Sequence, residues 1–250
     1  MHRFFVPPES IVADVVAIPR SKARQIARVL RLSPGDEIVV LDNTGDEYDV
    51  TLTEISADNA VGRVTDRRHT SGEPRRRIVL YQALLKSDKF EFVLQKCTEL
   101  GVAAFVPFAS KRTVVRERSG DHTRTRRDRW LRIVEEAAEQ SHRGRLPKVR
   151  DPITLLEACE QANGVVLMPW EDEHSTGLRQ MISKSASIGS RDSEIGIVIG
   201  PEGGFSEGEV ESARERGVTT VSLGSRILRA ETAAIATASA VLYELGELGT

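Results

Sequence analysis

Two rhythms of apolar and polar positions divide the chain. Up to about residue 70 the apolar residues come in short, closely spaced pieces: "EIVVL" at 37–41, then 46–55 and 60–65, with "DNTG" at 42–45 as a turn signal between two of them. One helix is predicted from Ser21 to Leu32, ahead of "SPGD". Such spacing predicts a small β-barrel over residues 1–70. The basic, polar stretch "DRRHTSGEPRRR" (66–77) reads as an interdomain linker. Beyond it, apolar strand-like runs at 77–85, 102–108, 164–169, 195–200 and 219–224 alternate with helical patterns. The helices are predicted at 88–101, about 124–141, 206–217 and about 231–246, with a shorter one opened by Asp151–Pro152. Asp88 with Glu91, and Ser206 with Glu209, have capping-box spacing, and Gly101 and Gly217 mark helix stops. The alternation predicts an α/β domain over 71–250, a mostly parallel sheet covered on both faces.

The stretch that ordinary scaffolding does not explain is "IGPEGGFSEGE" (199–209). An apolar strand runs into a loop with Gly200, Gly203 and Gly204, and a helix starts at once. The outline suggests a nucleotide loop, but no lysine follows the glycines as in a P-loop, and the dinucleotide pattern G-x-G-x-x-G is absent. Glu202 in the middle would repel a pyrophosphate. A ligand with hydroxyls, an amine or a positive centre would welcome that carboxylate, and S-adenosylmethionine has all three. A tight strand–helix turn with a glutamate at the positive helix end fits the spacing equally well. Two other strands end in unusual loops, "LMPWE" (167–171) and "LGSRILRAET" (223–232). In an open parallel sheet, ligands sit beyond the carboxyl ends of the strands, so the three loops are candidates for one shared site.

Composition narrows the setting. The chain has 250 residues, 40% of them hydrophobic, and a net charge of −2. No apolar run approaches the ~20 residues of a membrane span. Two separated cysteines, Cys97 and Cys159, form neither a redox pair nor a zinc signature, which points to a reduced, cytoplasmic setting. Residues 111–132 hold nine lysines and arginines, among them Arg112, Arg116 and Arg118, against Glu117, Asp121 and Asp128. A local excess of this kind can bind polyanions, although a solvated face is the commoner explanation. Arg20, Arg24, Arg28 and Arg31 recur at helical spacing, with no opposite charge along that face, and suit phosphate tracking.

Several motifs together carry a family resemblance. "IGPEGGFSEGE" followed by "LGSRILRAETA" (223–233) resembles the paired signature of the RsmE-type 16S rRNA uridine-N3 methyltransferases, of the SPOUT superfamily. "RVLRLSPGD" (28–36), "KFEFVLQKCTELGV" (89–102), "EEAAEQSHRGRLP" (135–147) and the opening "MHRFF" resemble further family segments, in order over nearly the whole chain. The resemblance implies an N-terminal PUA-like RNA-binding β-barrel and a C-terminal SPOUT methyltransferase domain with a deep trefoil knot. It implies S-adenosylmethionine as cofactor, no metal, and a homodimer whose sites are completed across the interface. The implied reaction is methylation of N3 of one uridine near the decoding centre of 16S rRNA (position 1498 in reference numbering), within ribosome biogenesis.

The resemblance also implies roles for residues. The cofactor would sit bent among the three loops, near Leu167, Met168 and Pro169, near Gly200, Glu202, Gly203 and Gly204, and near Leu223, Gly224, Ile227, Leu228 and Thr232. Arg229 would stabilise charge on a uracil oxygen or grip a phosphate, and Glu231 would accept the N3 proton or position the base. The alternatives are a structural partnership of Arg229 with Glu231 and a helix-start role for Glu231. Arg3, Arg112, Gln140 and Arg143 join the four helix arginines as RNA-facing candidates, although Glu139 and Arg143, four apart, also have the spacing of an ordinary helix salt pair. The small residues of the last helix, Ala233, Ala234, Ala236, Ala238, Ser239 and Ala240, suit knot packing, a dimer interface or an ordinary buried helix. Two other functions share many of these features: another SPOUT RNA methyltransferase, for example one acting on a ribose 2′-oxygen, and a non-catalytic rRNA-binding assembly factor.

Overall fold

A computed structural model describes residues 1–113, 121–188 and 194–249, and the predicted basic residues Arg116 and Arg118, with Glu117, lie outside them. The chain divides into two compact units, Met1–Glu73 with Glu135–Leu146, and Pro74–Val134 with Pro147–Thr250. The second stretch of the first unit, far along the chain, has no counterpart in the sequence pattern.

The first unit is built on a six-stranded sheet: β1 (His2–Phe5), β2 (Ile11–Val12), β3 (Val15–Ile18), β4 (Glu37–Leu41), β5 (Asp46–Ile55) and β6 (Ala60–His69). β1 pairs parallel with β4, and the other neighbours are antiparallel, in the order β1-β4-β5-β6-β3-β2. Alternation sends Ile38, Val40, Val50 and Leu52 into one core with Phe4, Val16 and Ile26. β6 runs on to His69, through the first residues of the predicted linker. There Arg67 and Arg68 are held by Asp46, Glu47 and Asp49 of β5, and cross-strand ion pairing extends the ladder.

The predicted Ser21–Leu32 helix takes a different form. α1 (Arg20–Arg24) passes into a π-helical segment, Gln25–Leu30, and Arg31 ends it in the left-handed region (φ 55°). A π-turn breaks the 3.6-residue register, and Arg31 lies off the helix. The missing counter-charge is Asp58, from the β5–β6 turn, which accepts from Arg20 at 2.8 Å and from Arg24 at 3.1 Å.

The second unit carries β7 (Ile78–Ala83), β8 (Ala104–Ala109), β9 (Lys148–Val149), β10 (Ile153–Thr154), β11 (Val165–Pro169), β12 (Ile195–Ile199) and β13 (Thr219–Val221). Among the described residues all its strand pairings are parallel, in the order β10-β8-β7-β12-β11-β13, with β9 beside β8. Both faces are covered, which is why these strands read as unbroken apolar runs. Ile78 and Leu80 of β7 join one core with residues of α2 (Ser87–Leu100), α3 (Asp121–Gln140), α5 (Leu178–Ile188) and α7 (Ala230–Glu244). Val79 and Tyr81 join the other, with residues of α4 (Leu155–Gln161) and α6 (Glu207–Arg214). Ala234 and Ala238 of α7 are buried within the first of these cores, so part of the small-residue face serves packing inside the chain.

Helix starts follow their caps with two changes. α4 is opened by Thr154 and Glu157, a true capping box, two residues after Pro152. α2 has Lys86 at its N-cap, and Glu91 accepts from Arg129 at 2.6 Å instead of closing a box with Asp88. Among the described residues no helix is long and apolar enough to cross a membrane.

Candidate active site

β12, β11 and β13 are neighbours in the parallel sheet, so their carboxyl ends lie side by side. The loops that follow them enclose a cavity of about 840 Å³ within the second unit. Its walls come from Pro169–Glu171 and His174, from Ile199–Phe205, and from Ser222–Ala230 with Ala233. Lys89, from the first turn of α2, completes them.

The glycine loop is fixed from within and from outside. Gly204 N–H donates to Pro201 O at 3.0 Å, and the Arg112 guanidinium donates to Gly203 O at 2.8 Å. Gly204 has φ +67°, and a Cβ there would also drive into the Glu171 carboxylate. The Phe205 ring stacks on Phe108, with centroids 6.4 Å apart. Behind the loop, the Glu209 carboxylate takes Ser206 N–H at 3.0 Å and Lys111 N–H at 2.8 Å. Burial alone would raise the carboxyl's pKa, but these hydrogen bonds outweigh it and hold Glu209 below its usual range.

The loop after β11 is held by Glu173, a residue without a sequence signature. Its carboxylate accepts from Ser175 Oγ (2.6 Å), Thr220 Oγ1 (2.7 Å), the N–H groups of Ser175 (2.9 Å) and Thr176 (3.1 Å), and Arg214 (3.2 Å). The Ser175 and Thr220 hydroxyls lead in lowering its pKa to about 2. Arg214 also lies over the Trp170 ring, 5.4 Å from its centroid. Glu173→Gln would set an amide N–H₂ against these donors, and a loss of about 1–3 kcal/mol at pH 7 is expected. Because the folded-state pKa is depressed from 4.5 to about 2, this group's stabilisation is complete above about pH 4.5 and is lost as pH falls toward 2. Thermal melts of wild type and E173Q should converge over that window, and a gap that stays constant with pH would refute the assignment.

The candidate residues divide by position. Pro169, Gly200, Glu202, Gly203, Gly204, Leu223, Gly224, Ile227, Leu228 and Arg229 line the cavity, Ile227 on an open lip. Leu167 and Met168 do not. They are buried on opposite faces of the sheet, since adjacent strand residues point opposite ways. Thr232 is exposed on α7, outside the lining. Arg229 is the N-cap of α7, exposed, and none of the described residues pairs with its guanidinium. Glu231 does not pair with it. Its Oε2 is buried with no hydrogen-bond partner among the described residues, 3.7 Å from Lys89 Nζ. Lys89, Glu171 and His174 were missed as site residues. "KFEF" at 89–92 places Lys89 at a helix start, and no spacing connects it to the distant acids.

The RNA-facing candidates divide too. Arg112 braces the glycine loop of the second unit. In the first unit Arg3 is ion-paired to Glu47, its side chain 8% exposed. Arg143, 2% exposed, is paired to Glu73 at 2.8 Å. Neither is a surface cation. Arg143 makes no pair with Glu139, because α3 ends at Gln140 and Glu139 accepts from Lys22 at 2.6 Å. Gln140 is exposed beside a smaller cavity of about 340 Å³, and Arg20, Arg24, Arg28 and Arg31 are exposed.

Comparison with known proteins agrees with this geometry. The family model described as RNA methyltransferase domain matches residues 72–242, more than half the chain, and that of the RNA methyltransferase PUA domain matches residues 23–65. Ribosomal RNA small subunit methyltransferase E of Bacillus subtilis (strain 168) is 32% identical over 249 residues, covering 98% of this chain and 97% of its own. That of Synechocystis sp. is 34% identical over 235 residues, 93% of this chain and 74% of its own. The crystal structure of ribosomal RNA small subunit methyltransferase E from Neisseria gonorrhoeae, bound to S-adenosyl methionine, superposes with a TM-score of 0.85 at 31% identity, covering 97% of each chain. A strand-end cavity walled by these glycine and arginine loops, with such relatives over almost its full length, places the chain in the ribosomal RNA small subunit methyltransferase E family.

Proposed function

We propose that the protein methylates N3 of one uridine in 16S rRNA of the small ribosomal subunit, with S-adenosylmethionine as donor. The observation that carries this reading is one cavity holding Glu202 on its glycine wall and Arg229 at a helix start, paired with none of the described residues, with Glu231 3.7 Å from the wall residue Lys89. The residues fit the donor. Its hydroxyls and amine suit the carboxylates, the open space around Gly224 leaves backbone accessible, and Glu231 Oε2 is an acceptor that meets no donor among the described residues. A pyrophosphate cofactor would face Glu171 and Glu202 without a lysine-bearing phosphate loop.

The bound donor supplies a methyl group made electrophilic by its sulfonium. The protein must then make N3 a nucleophile, because that nitrogen carries a weakly acidic proton. Glu231 would take the N3 proton as the methyl group leaves the donor sulfur for N3, the sulfonium becoming a neutral thioether. Arg229 and the N-terminal end of α7 stabilise negative charge on the uracil oxygen while it develops. N3 lies on the Watson–Crick edge, so the base enters unpaired or flipped. The reading includes a trefoil-knotted SPOUT domain, a homodimer whose partner completes each site, and a cytoplasmic setting. Support for rRNA as substrate comes from the family relatives.

Primer extension on 16S rRNA, from a strain lacking the gene and from the same strain complemented, tests the reading. A polymerase stop at a single uridine is expected only with the gene, because an N3-methyl blocks pairing. Mass mapping should then put the methyl on the base. A ribose methyl, or identical extension in both strains, would overturn the proposal.

A further inference from the structure

Resting on that reading, we infer that Lys89 and Glu202 form the subsite for the amino-acid end of the methyl donor, Lys89 taking its α-carboxylate and Glu202 its α-ammonium. Lys89 Nζ stands 3.5 Å from Glu202 Oε1 and 3.7 Å from Glu231 Oε2, on the cavity wall. Charge-assisted hydrogen bonds close to about 2.7–2.9 Å, so neither contact is a closed bond. Lys22 shows the closed form in the same chain, at 2.7 Å from Glu135 and 2.6 Å from Glu139. Lys22 is spent on structure, whereas the Lys89 ammonium closes a hydrogen bond to none of the described residues and can offer its three N–H donors. The Lys89 and Glu202 side chains are about equally accessible, 27% and 28%, and come from two different walls. A loose pair of opposite charges at a cavity wall is complementary to a zwitterion, which replaces one long contact with two short ones. Glu231, 3.7 Å from the same ammonium, keeps the separate role proposed for it above.

Calorimetric titration of the full-length protein tests this with S-adenosylhomocysteine, decarboxylated S-adenosylmethionine and methylthioadenosine. These probes carry both head groups, the ammonium alone, and neither. Lys89→Gln should weaken S-adenosylhomocysteine about 10- to 100-fold, and leave the other two within about twofold. Glu202→Gln should weaken both ammonium-bearing probes and spare methylthioadenosine, which keeps the proposal testable if the lysine variant fails to fold. Lys89→Arg should restore part of the loss. Equal weakening of all three probes by Lys89→Gln, or no weakening at all, overturns the subsite. If the wild-type protein binds none of them, the donor reading falls as well. Binding by the wild type with no Lys89 dependence removes only this inference.

Discussion

Arg229→Ala is expected to lower turnover by about 100- to 1,000-fold while leaving methyl-donor affinity within about threefold. The expectation follows from where the charge sits. Arg229 caps α7, the 15-residue helix whose positive end abuts the cavity, and its guanidinium is exposed with none of the described residues as partner. An arginine kept for structure would have an acid in reach. Glu231, two residues on, instead stands 3.7 Å from Lys89. Negative charge reaches the uracil oxygens only as the N3 proton leaves. An interaction with that charge appears in the transition state and hardly at all in the bound ground state, so its loss falls on kcat rather than on binding. Arg229→Lys keeps the charge but not the planar fork and should recover part of the rate. Single-turnover kinetics with saturating donor, beside calorimetry with S-adenosylhomocysteine, separates the two effects. Unchanged turnover, or a loss entirely in donor affinity, would remove Arg229 from the chemistry.

The legible parts of this protein are those written in local pattern. β4 and β5 have the predicted bounds because alternation and the turn between them are short-range features. The parallel strands announced themselves as apolar runs because both faces of the sheet are covered. Ser206 and Glu209 could be read as a capping box because its partners lie three residues apart. What escaped was set by contacts distant in sequence. Asp58, which pairs with Arg20 and Arg24, comes from a turn well outside the helix that carries them. The π-turn at Gln25–Leu30 breaks the period of 3.6 residues per turn on which a common helix face depends. Leu167 and Met168 sit next to a cavity loop, yet strand geometry turns both side chains into cores. Glu173 gains its role from Ser175, Thr176, Arg214 and Thr220, a set that only the folded loop assembles. Lys89 belongs to the site because the fold brings the first turn of α2 to a cavity whose other walls come from loops far along the chain.

Glu73→Ala should destabilise the first unit by about 3–5 kcal/mol, the range for breaking a buried ion pair by removing one partner. Glu73 accepts from Arg143 Nε at 3.1 Å and NH2 at 2.8 Å, and also from the N–H groups of Gly144 and Arg145, both at 3.1 Å. One carboxylate thus ties the segment after α3 to the chain end of the sheet unit. Arg143 is 2% exposed, so removing Glu73 takes an ion-pair partner from a charge held in a low-dielectric interior. Protection of the β4 and β5 amides against hydrogen exchange should fall at least about 100-fold in E73A. Trp130 and Trp170 both lie in the second unit, so tryptophan fluorescence gives an independent reading there. The same geometry separates a structural Arg143 from an RNA-binding one. Arg143→Ala should reproduce the loss of protection in the free protein, before any RNA is added. If Arg143→Ala keeps full protection and weakens only rRNA binding, the buried pair is not what holds this unit together, and the arginine turns outward to its substrate.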